Sequence, residues 1–306
     1  MKILIATQKP FAPVAVSGIK EILNDAGHSV CILEKYPDEA ALIAEMAEVD
    51  AMIIRSDKVT PAVLDAAPNL KLVVRAGAGY DNVDLAAATA HNVVVMNTPG
   101  QNSNAVAELA IAMMIFMART QFTPSTGTEI QGKTIGIQAF GNVGRLVGAK
   151  AKALGMSVLA IDPFLSKEQI TEGGAIPAAS LDELYSSSDY VSVHIPATPQ
   201  TIKSIGYDLI TKMPQGATLV NTARKEVIDE EGLEKALTER EDLKYVTDVA
   251  PDNYSALREK FGTRIFATPK KMGAQTGEAN INAGLAAARQ IVEYFATGST
   301  RFQVNK

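Results

Sequence analysis

Thr134-Ile135-Gly136-Ile137-Gln138-Ala139-Phe140-Gly141-Asn142-Val143-Gly144 is the stretch whose reading decides the fold. Thr134 to Gln138 reads as a buried strand, and Val143 to Leu154 as the helix that follows it. Between them lies the dinucleotide-binding G-x-G-x-x-G fingerprint, with Ala139 in place of the first glycine. The substitution is harmless if position 139 keeps a negative φ. Gly141 then admits close approach of a pyrophosphate, and Gly144 permits tight packing of helix on strand. The helix N-terminus, with Asn142 and Val143, supplies free amides as an anion site. After the next strand, Ile161-Asp162-Pro163 puts a carboxylate 18 residues beyond Gly144, where ribose hydroxyls would lie. A carboxylate there favours NAD and repels the extra phosphate of NADP. Taken alone, Asp162 reads equally as a strand-ending carboxylate that caps its own turn.

Working outward, short β-branched runs alternate with Ala- and Leu-rich helical stretches along the chain. The first series is Lys2 to Ala6, Ser29 to Leu33, Ala51 to Arg55, Leu72 to Arg75 and Val93 to Met96. The second is Thr134 to Gln138, Ser157 to Ile161, Tyr190 to His194, Thr218 to Asn221, Tyr245 to Thr247 and Ile265 to Ala267. Strands apolar on both faces and alternating with helices indicate parallel βαβ units. The expected architecture is two doubly wound α/β domains, a flavodoxin-like substrate domain and a Rossmann NAD domain, with a cleft between. Asn102 to Arg119 is a long apolar helix, followed by the Thr-, Ser-, Gly- and Pro-rich stretch Gln121 to Gly132. Thr276 to Ala296 reads as a second long helix, closed by Gly298, and Arg301 to Asn305 as a final extended piece. The expected domains are therefore 1–98 plus 280–306 for substrate and 99–279 for NAD.

Composition narrows the function. The chain has 306 residues, 47% hydrophobic, enough for two ordinary cores. A net charge of -5 would repel nucleic acid and anionic membranes, so neither is an expected partner. The single cysteine, Cys31, lies in an apolar run and suits a reducing compartment. MKILIATQKP lacks the hydrophobic core of a signal peptide, and no run approaches a membrane span. A cytoplasmic location is expected. Three scattered histidines and one cysteine form no metal pattern. His28 and His91 read as solvated turn residues. Met113, Met114 and Met117 share a helix face with Leu109 and Phe116, which suits core or dimer packing.

Arg75-Ala76-Gly77-Ala78-Gly79-Tyr80-Asp81-Asn82, Met96-Asn97-Thr98-Pro99, Val193-His194-Ile195-Pro196 and Asn221-Thr222-Ala223-Arg224, leading to Val227-Ile228-Asp229, occur in this order. With them the chain resembles the D-isomer-specific 2-hydroxy acid dehydrogenase family over nearly its whole length. Within that family it is most similar to the members acting on 3-phosphoglycerate. The resemblance implies NAD-dependent oxidation of 3-phospho-D-glycerate to 3-phosphohydroxypyruvate, the first step of serine biosynthesis, by a homodimer that pairs through the Asn102 to Arg119 helix. The cofactor would touch Ala78, Gly141, Asn142, Val143, Gly144, Asp162, His194, Thr222, Ala223 and Asp248. Arg224, at a strand's C-terminal edge, would clamp the substrate carboxylate and polarise its carbonyl, tasks that suit a permanently charged fork. The resemblance also implies that Arg55, Ser56 and Arg75 hold the phosphate. Gly77-Ala78-Gly79 would offer backbone amides to the carboxylate.

Two departures from the family pattern fall together. The family's acid/base histidine follows Thr-Pro, whereas here Thr268-Pro269 continues Lys270-Lys271-Met272-Gly273, one residue longer. Asp248-Val249 leads to Asn253 where the histidine's glutamate partner is expected. A lysine has no tautomer to fix and needs no such glutamate, so joint loss suggests one device replaced by another. Lys271 is favoured when the alignment is counted back from Gly273, and Lys270 when it is counted forward from Pro269. Asp248 would lie near the nicotinamide or help set the lysine's pKa. The chain's end soon after the last helix leaves no room for an appended regulatory domain, so serine feedback through one is not expected. Two rival readings stay open: a glyoxylate, hydroxypyruvate or other 2-oxo acid reductase, and a non-catalytic NAD-sensing protein on the same scaffold.

Overall fold

Apolar strands that bury both faces need cover on both sides, and the chain builds two parallel sheets that receive it. The computed structural model describes residues 1–305. Met1–Asn102 with Gln275–Lys306 forms one compact unit, and Ser103–Ala274 forms the other.

In the first unit, β1 (Lys2–Thr7), β2 (Ser29–Glu34), β3 (Ala51–Ile54), β4 (Leu72–Arg75) and β5 (Val94–Asn97) form a five-stranded sheet ordered β2-β1-β3-β4-β5. Every pairing is parallel. Alternate side chains enter different cores: Ile3, Ile5, Ala51 and Ile53 join the layer holding Phe11, Ile19 and Ile291. Leu4, Ala6, Met52 and Ile54 join the layer holding Leu42, Met46 and Val63. Burial of each leucine, isoleucine or methionine among these contributes roughly 1.5–3 kcal/mol. The helix Gly277–Thr297 starts where the Thr276 hydroxyl accepts the Ala279 amide at 3.1 Å, and stops at left-handed Gly298. It packs on the helix Pro13–Asp25, and for this reason the chain's last helix belongs with its first residues. The last residues also return to this unit, where Gln303 bridges Met96 antiparallel. The Asn305 carboxamide accepts from the Val95 amide and donates to the Val93 carbonyl, both at 2.8 Å.

The second unit contains β6 (Thr134–Gln138), β7 (Ser157–Ile161), β8 (Ile176–Pro177), β9 (Tyr190–Val193), β10 (Thr218–Asn221), β11 (Lys244–Thr247) and β12 (Ile265–Ala267). Its order is β12-β11-β10-β9-β6-β7-β8, the doubly wound arrangement. The two-residue strand β8 is not among the sequence expectations. Proline cannot donate to a sheet ladder, and Pro177 fits only because β8 is the outermost strand, paired with β7 alone. Met113, Met114 and Met117 on the helix Ser103–Ala118 lie in the core with Ile135, Ile137 and Val147. Strand order reverses between β1 and β3 in one sheet and between β6 and β9 in the other, and the C-terminal edges at such switch points are where open α/β sheets bind ligands. Among the described residues, no helix is long and apolar enough to cross a membrane.

Candidate active site

At the switch point of the second unit the glycine-rich loop joins β6 to the helix Asn142–Ala153. A Cβ placed on Gly144 would meet the Ala139 carbonyl oxygen at 2.2 Å, so glycine is required for helix and strand to approach this closely. A Cβ on Gly141 would meet nothing within 4 Å, so its face is open to a large group. No side chain caps the helix start, and its first amides are left for an anion. The Thr222 hydroxyl, at the C-terminal end of β10, is buried and has no hydrogen-bond partner among the described residues. These features fit a dinucleotide. Asp162 caps its own turn, one oxygen accepting the Phe164 amide at 2.9 Å, while the other accepts the Phe140 amide of the glycine-rich loop at 2.9 Å.

Ala139 corrects one expectation, because its φ is +75° rather than negative. The loop must turn this sharply for the residue's carbonyl to meet Gly144, and the fingerprint's first glycine normally relieves the strain. An L-residue in this region costs about 1–2 kcal/mol, whereas glycine costs roughly 0.4–1 kcal/mol in unfolded-chain entropy. Ala139→Gly is therefore expected to stabilise the protein by about 0.5–1 kcal/mol. Equilibrium urea unfolding would measure this, and a lower midpoint in the variant would show that the alanine is unstrained.

The acid-binding candidates of this unit stand on the next two strand ends. Asn221, fully buried, donates its amide to the Arg224 carbonyl at 2.9 Å and accepts the Ala223 amide at 3.0 Å, which fixes the loop bearing Arg224. The Arg224 guanidinium donates to the Ala223 carbonyl at 2.9 Å, and Lys271 Nζ donates to the same oxygen at 3.4 Å. Two cations thus converge on one carbonyl. Lys270 is exposed and has no polar partner among the described residues. Asp248 is buried against the loop that carries Lys271. Its carboxylate accepts from the Thr268 hydroxyl and from the Met272 and Gly273 amides, at 2.8, 2.7 and 2.7 Å. His194 sits beside Ser192, with Nε2 and Oγ 2.9 Å apart. Burial pushes its pKa down to about 4, so the ring is neutral near pH 7 and carries no proton to give.

In the first unit Arg55 and Arg75 occupy adjacent strand ends, with Arg75 in register with Ile54. Arg55 is not a free surface cation. It donates to the Lys9 and Pro10 carbonyls at 2.9 Å each and to the Asn280 side chain, and it lies over the Phe11 ring. Three of about five guanidinium donors are thereby used. Ser56 next to it is exposed. The buried Asp57 carboxylate accepts the Gln8 amide at 2.6 Å, the Tyr36 hydroxyl at 2.7 Å and the Arg55 amide at 3.2 Å, tying the two switch-point loops together. Arg75 folds over Gly77, whose φ of +151° favours glycine and leaves room for the guanidinium where a Cβ would fall 1.5 Å from its Nη1. The Ala78 carbonyl accepts from Asn97 at 2.7 Å and the Gly77 carbonyl from the Thr98 amide at 2.9 Å. The amides of Gly77, Ala78 and Gly79 have no acceptor among the described residues, which suits them to a carboxylate.

Comparison with known proteins settles the family. Residues 105–269 match the family model described as "D-isomer specific 2-hydroxyacid dehydrogenase, NAD binding domain". The chain belongs to the D-isomer-specific 2-hydroxyacid dehydrogenase family. D-3-phosphoglycerate dehydrogenase of Synechocystis sp. is 37% identical over 287 residues, covering 87% of this chain and 50% of that protein. The Rattus norvegicus enzyme of the same name is 35% identical over 288 residues, covering 90% and 54%. The chain thus spans about half the length of the curated relatives it matches. The crystal structure of NAD+-bound 3-phosphoglycerate dehydrogenase from Entamoeba histolytica is 48% identical, with a TM-score of 0.87, covering 100% of this chain and 99% of that one.

Within this family member, several residues that shape the site escape a reading by motif. Thr268 stands inside a quoted motif, yet nothing in the sequence ties it to Asp248, 20 positions earlier. Asp57 and Asn280 carry no motif, and their signal is burial or long-range contact, which composition does not show. His28 is half-buried rather than solvated, whereas His91 is exposed at its turn as expected. His28 packs against Phe295 with ring centroids 5.5 Å apart, and His91 pairs with Asp65 at 2.9 Å.

Proposed function

We propose that this chain is an NAD-dependent dehydrogenase that oxidises 3-phospho-D-glycerate to 3-phosphohydroxypyruvate. The observation that carries the reading is the convergence of Arg224 and Lys271 on the Ala223 carbonyl, in the unit that also bears a loop shaped for a dinucleotide. Bound NAD supplies the acceptor for the hydride that leaves C2 of the acid. Gly141, Asn142, Val143 and Gly144 would hold its pyrophosphate, Asp162 its ribose hydroxyls, and Thr222, Ala223, His194 and Asp248 its nicotinamide end, with Ala78 of the first unit proposed as a further cofactor contact. Arg224 grips the acid's carboxylate and C2 oxygen, and keeps positive charge where the carbonyl develops. Lys271, which shares the Ala223 carbonyl with Arg224, takes the hydroxyl proton. The amides of Gly77, Ala78 and Gly79 bind carboxylate, and Arg55, Ser56 and Arg75 bind phosphate. The apolar helix Ser103–Ala118 and the exposed Phe122 support a homodimer, and the lone unpaired cysteine supports a reducing, cytoplasmic setting.

The direct test is NADH formation by the purified chain with 3-phosphoglycerate, glycerate, lactate or 2-hydroxyglutarate, and with NADP replacing NAD. Turnover confined to 3-phosphoglycerate and NAD is expected, and absence of turnover with intact NAD binding would favour the sensing role instead. Arg55→Ala should lower kcat/KM for 3-phosphoglycerate by about 10–100-fold, the scale of one charge-assisted contact plus its loop, and change that for glycerate far less. Equal losses on both acids would assign Arg55 to scaffolding of Lys9, Pro10 and Asn280 only.

A further inference from the structure

We propose that Asp248 and Thr268 are positioning residues that set where Lys271 stands, acting through the backbone of its loop. The inference rests on the reading of Lys271 as the proton carrier. An ammonium on a flexible four-carbon stem has no ring for a second-shell carboxylate to orient, so its placement must be defined at the root of the side chain. Asp248 does this from 1% exposure. Its Oδ1 accepts from the Thr268 hydroxyl at 2.8 Å and from the Met272 amide at 2.7 Å, and its Oδ2 accepts the Gly273 amide at 2.7 Å. The three bonds bracket Lys271, one before it and two after it.

Hydrogen bonds to an ionised acceptor are the strong ones, and here they are buried. A Cβ on Gly273 would come to 3.0 Å from Asp248 Oδ2 and 3.2 Å from Val106, so any larger residue after Met272 would have to push these neighbours back by a few tenths of an ångström. Asp248 is itself fixed, because its amide donates to the Asn221 carbonyl at 3.0 Å. Asn221 in turn holds the Ala223 amide and the Arg224 carbonyl. A single bonded chain therefore joins the roots of both cations that meet at the Ala223 carbonyl. At the position of the family's glutamate, Asn253 Oδ1 is buried without a hydrogen-bond partner among the described residues. The orienting task has moved from that position to Asp248, which gathers the lengthened loop.

Four variants test this: Asp248→Asn, Thr268→Val, Thr268→Ser and Lys271→Ala. Each is compared by kcat, KM and NAD affinity, and by hydrogen exchange of the Met272 and Gly273 amides. Thr268→Val should lower kcat by about 10–100-fold, the cost of a small misplacement of a catalytic group, with NAD affinity and KM little changed. Thr268→Ser keeps the hydroxyl and should keep kcat near the parent value. Asp248→Asn should lower kcat at least as far and release both amides to exchange. Should that variant fail to fold, the two Thr268 variants carry the test alone. The proposal is overturned if Thr268→Val retains kcat, or if Thr268→Ser falls as far as Thr268→Val, which marks simple packing. Parental turnover in Lys271→Ala removes the lysine reading itself and this inference with it, whatever the loop variants do.

Discussion

Lys271→Ala is expected to lose about a hundredfold or more in kcat for 3-phosphoglycerate oxidation, the scale of general acid/base work, while Lys270→Ala retains turnover close to the parent enzyme. The two residues are neighbours with the same side chain, so charge count and loop composition change equally in both variants. Both are exposed, and they differ in their partners: Lys271 reaches the carbonyl that Arg224 also contacts, and Lys270 has no polar partner among the described residues. Steady-state NADH formation under saturating NAD and substrate measures the contrast. Equal, small losses in both variants would take lysine out of the mechanism, and a loss confined to Lys270 would reverse the assignment.

Arg224→Ala is expected to lose about 10³-fold in kcat/KM, or roughly 4 kcal/mol at about 1.4 kcal/mol per decade, because a preorganised donor at the developing carbonyl is removed. Arg224→Lys should recover only part of this, since an ammonium keeps the charge but cannot fork two bonds onto a carboxylate. The loop itself should survive either change, because Asn221 holds it through the backbone of Ala223 and Arg224 rather than through the guanidinium. Thermal unfolding of the variants beside their kinetics separates the two effects. If Arg224→Lys matched the parent enzyme, the arginine would be acting as a simple point charge.

The three aligned ideas of the candidate site have different physical supports. The glycine-rich loop is a steric device, in which Gly144 allows contact and Gly141 leaves room. The arginine end is an electrostatic device placed at a strand terminus. The lysine loop is a hydrogen-bonding device gathered by one buried carboxylate. Each would fail differently under mutation, the first by clash, the second by lost charge and the third by misplacement.

Local chemistry was enough to read the parallel strands, the helix after Gly141 and the strand-end positions of Arg55, Arg75 and Arg224, because these follow from periodicity and from where apolar runs stop. The same is true of Asp162, whose spacing from Gly144 is a property of one βαβ unit. Tertiary structure alone decided the φ of Ala139, since strain there comes from helix and strand meeting at Gly144. It alone chose between Lys270 and Lys271 as the neighbour of Ala223, because a lysine's direction depends on a loop held by Asp248 from another strand. It also engaged Arg55 with Lys9, Pro10 and Asn280, the last 225 positions away. Patterns along the chain encode what neighbours in sequence require of each other, whereas contacts between distant residues exist only once the backbone has closed around them.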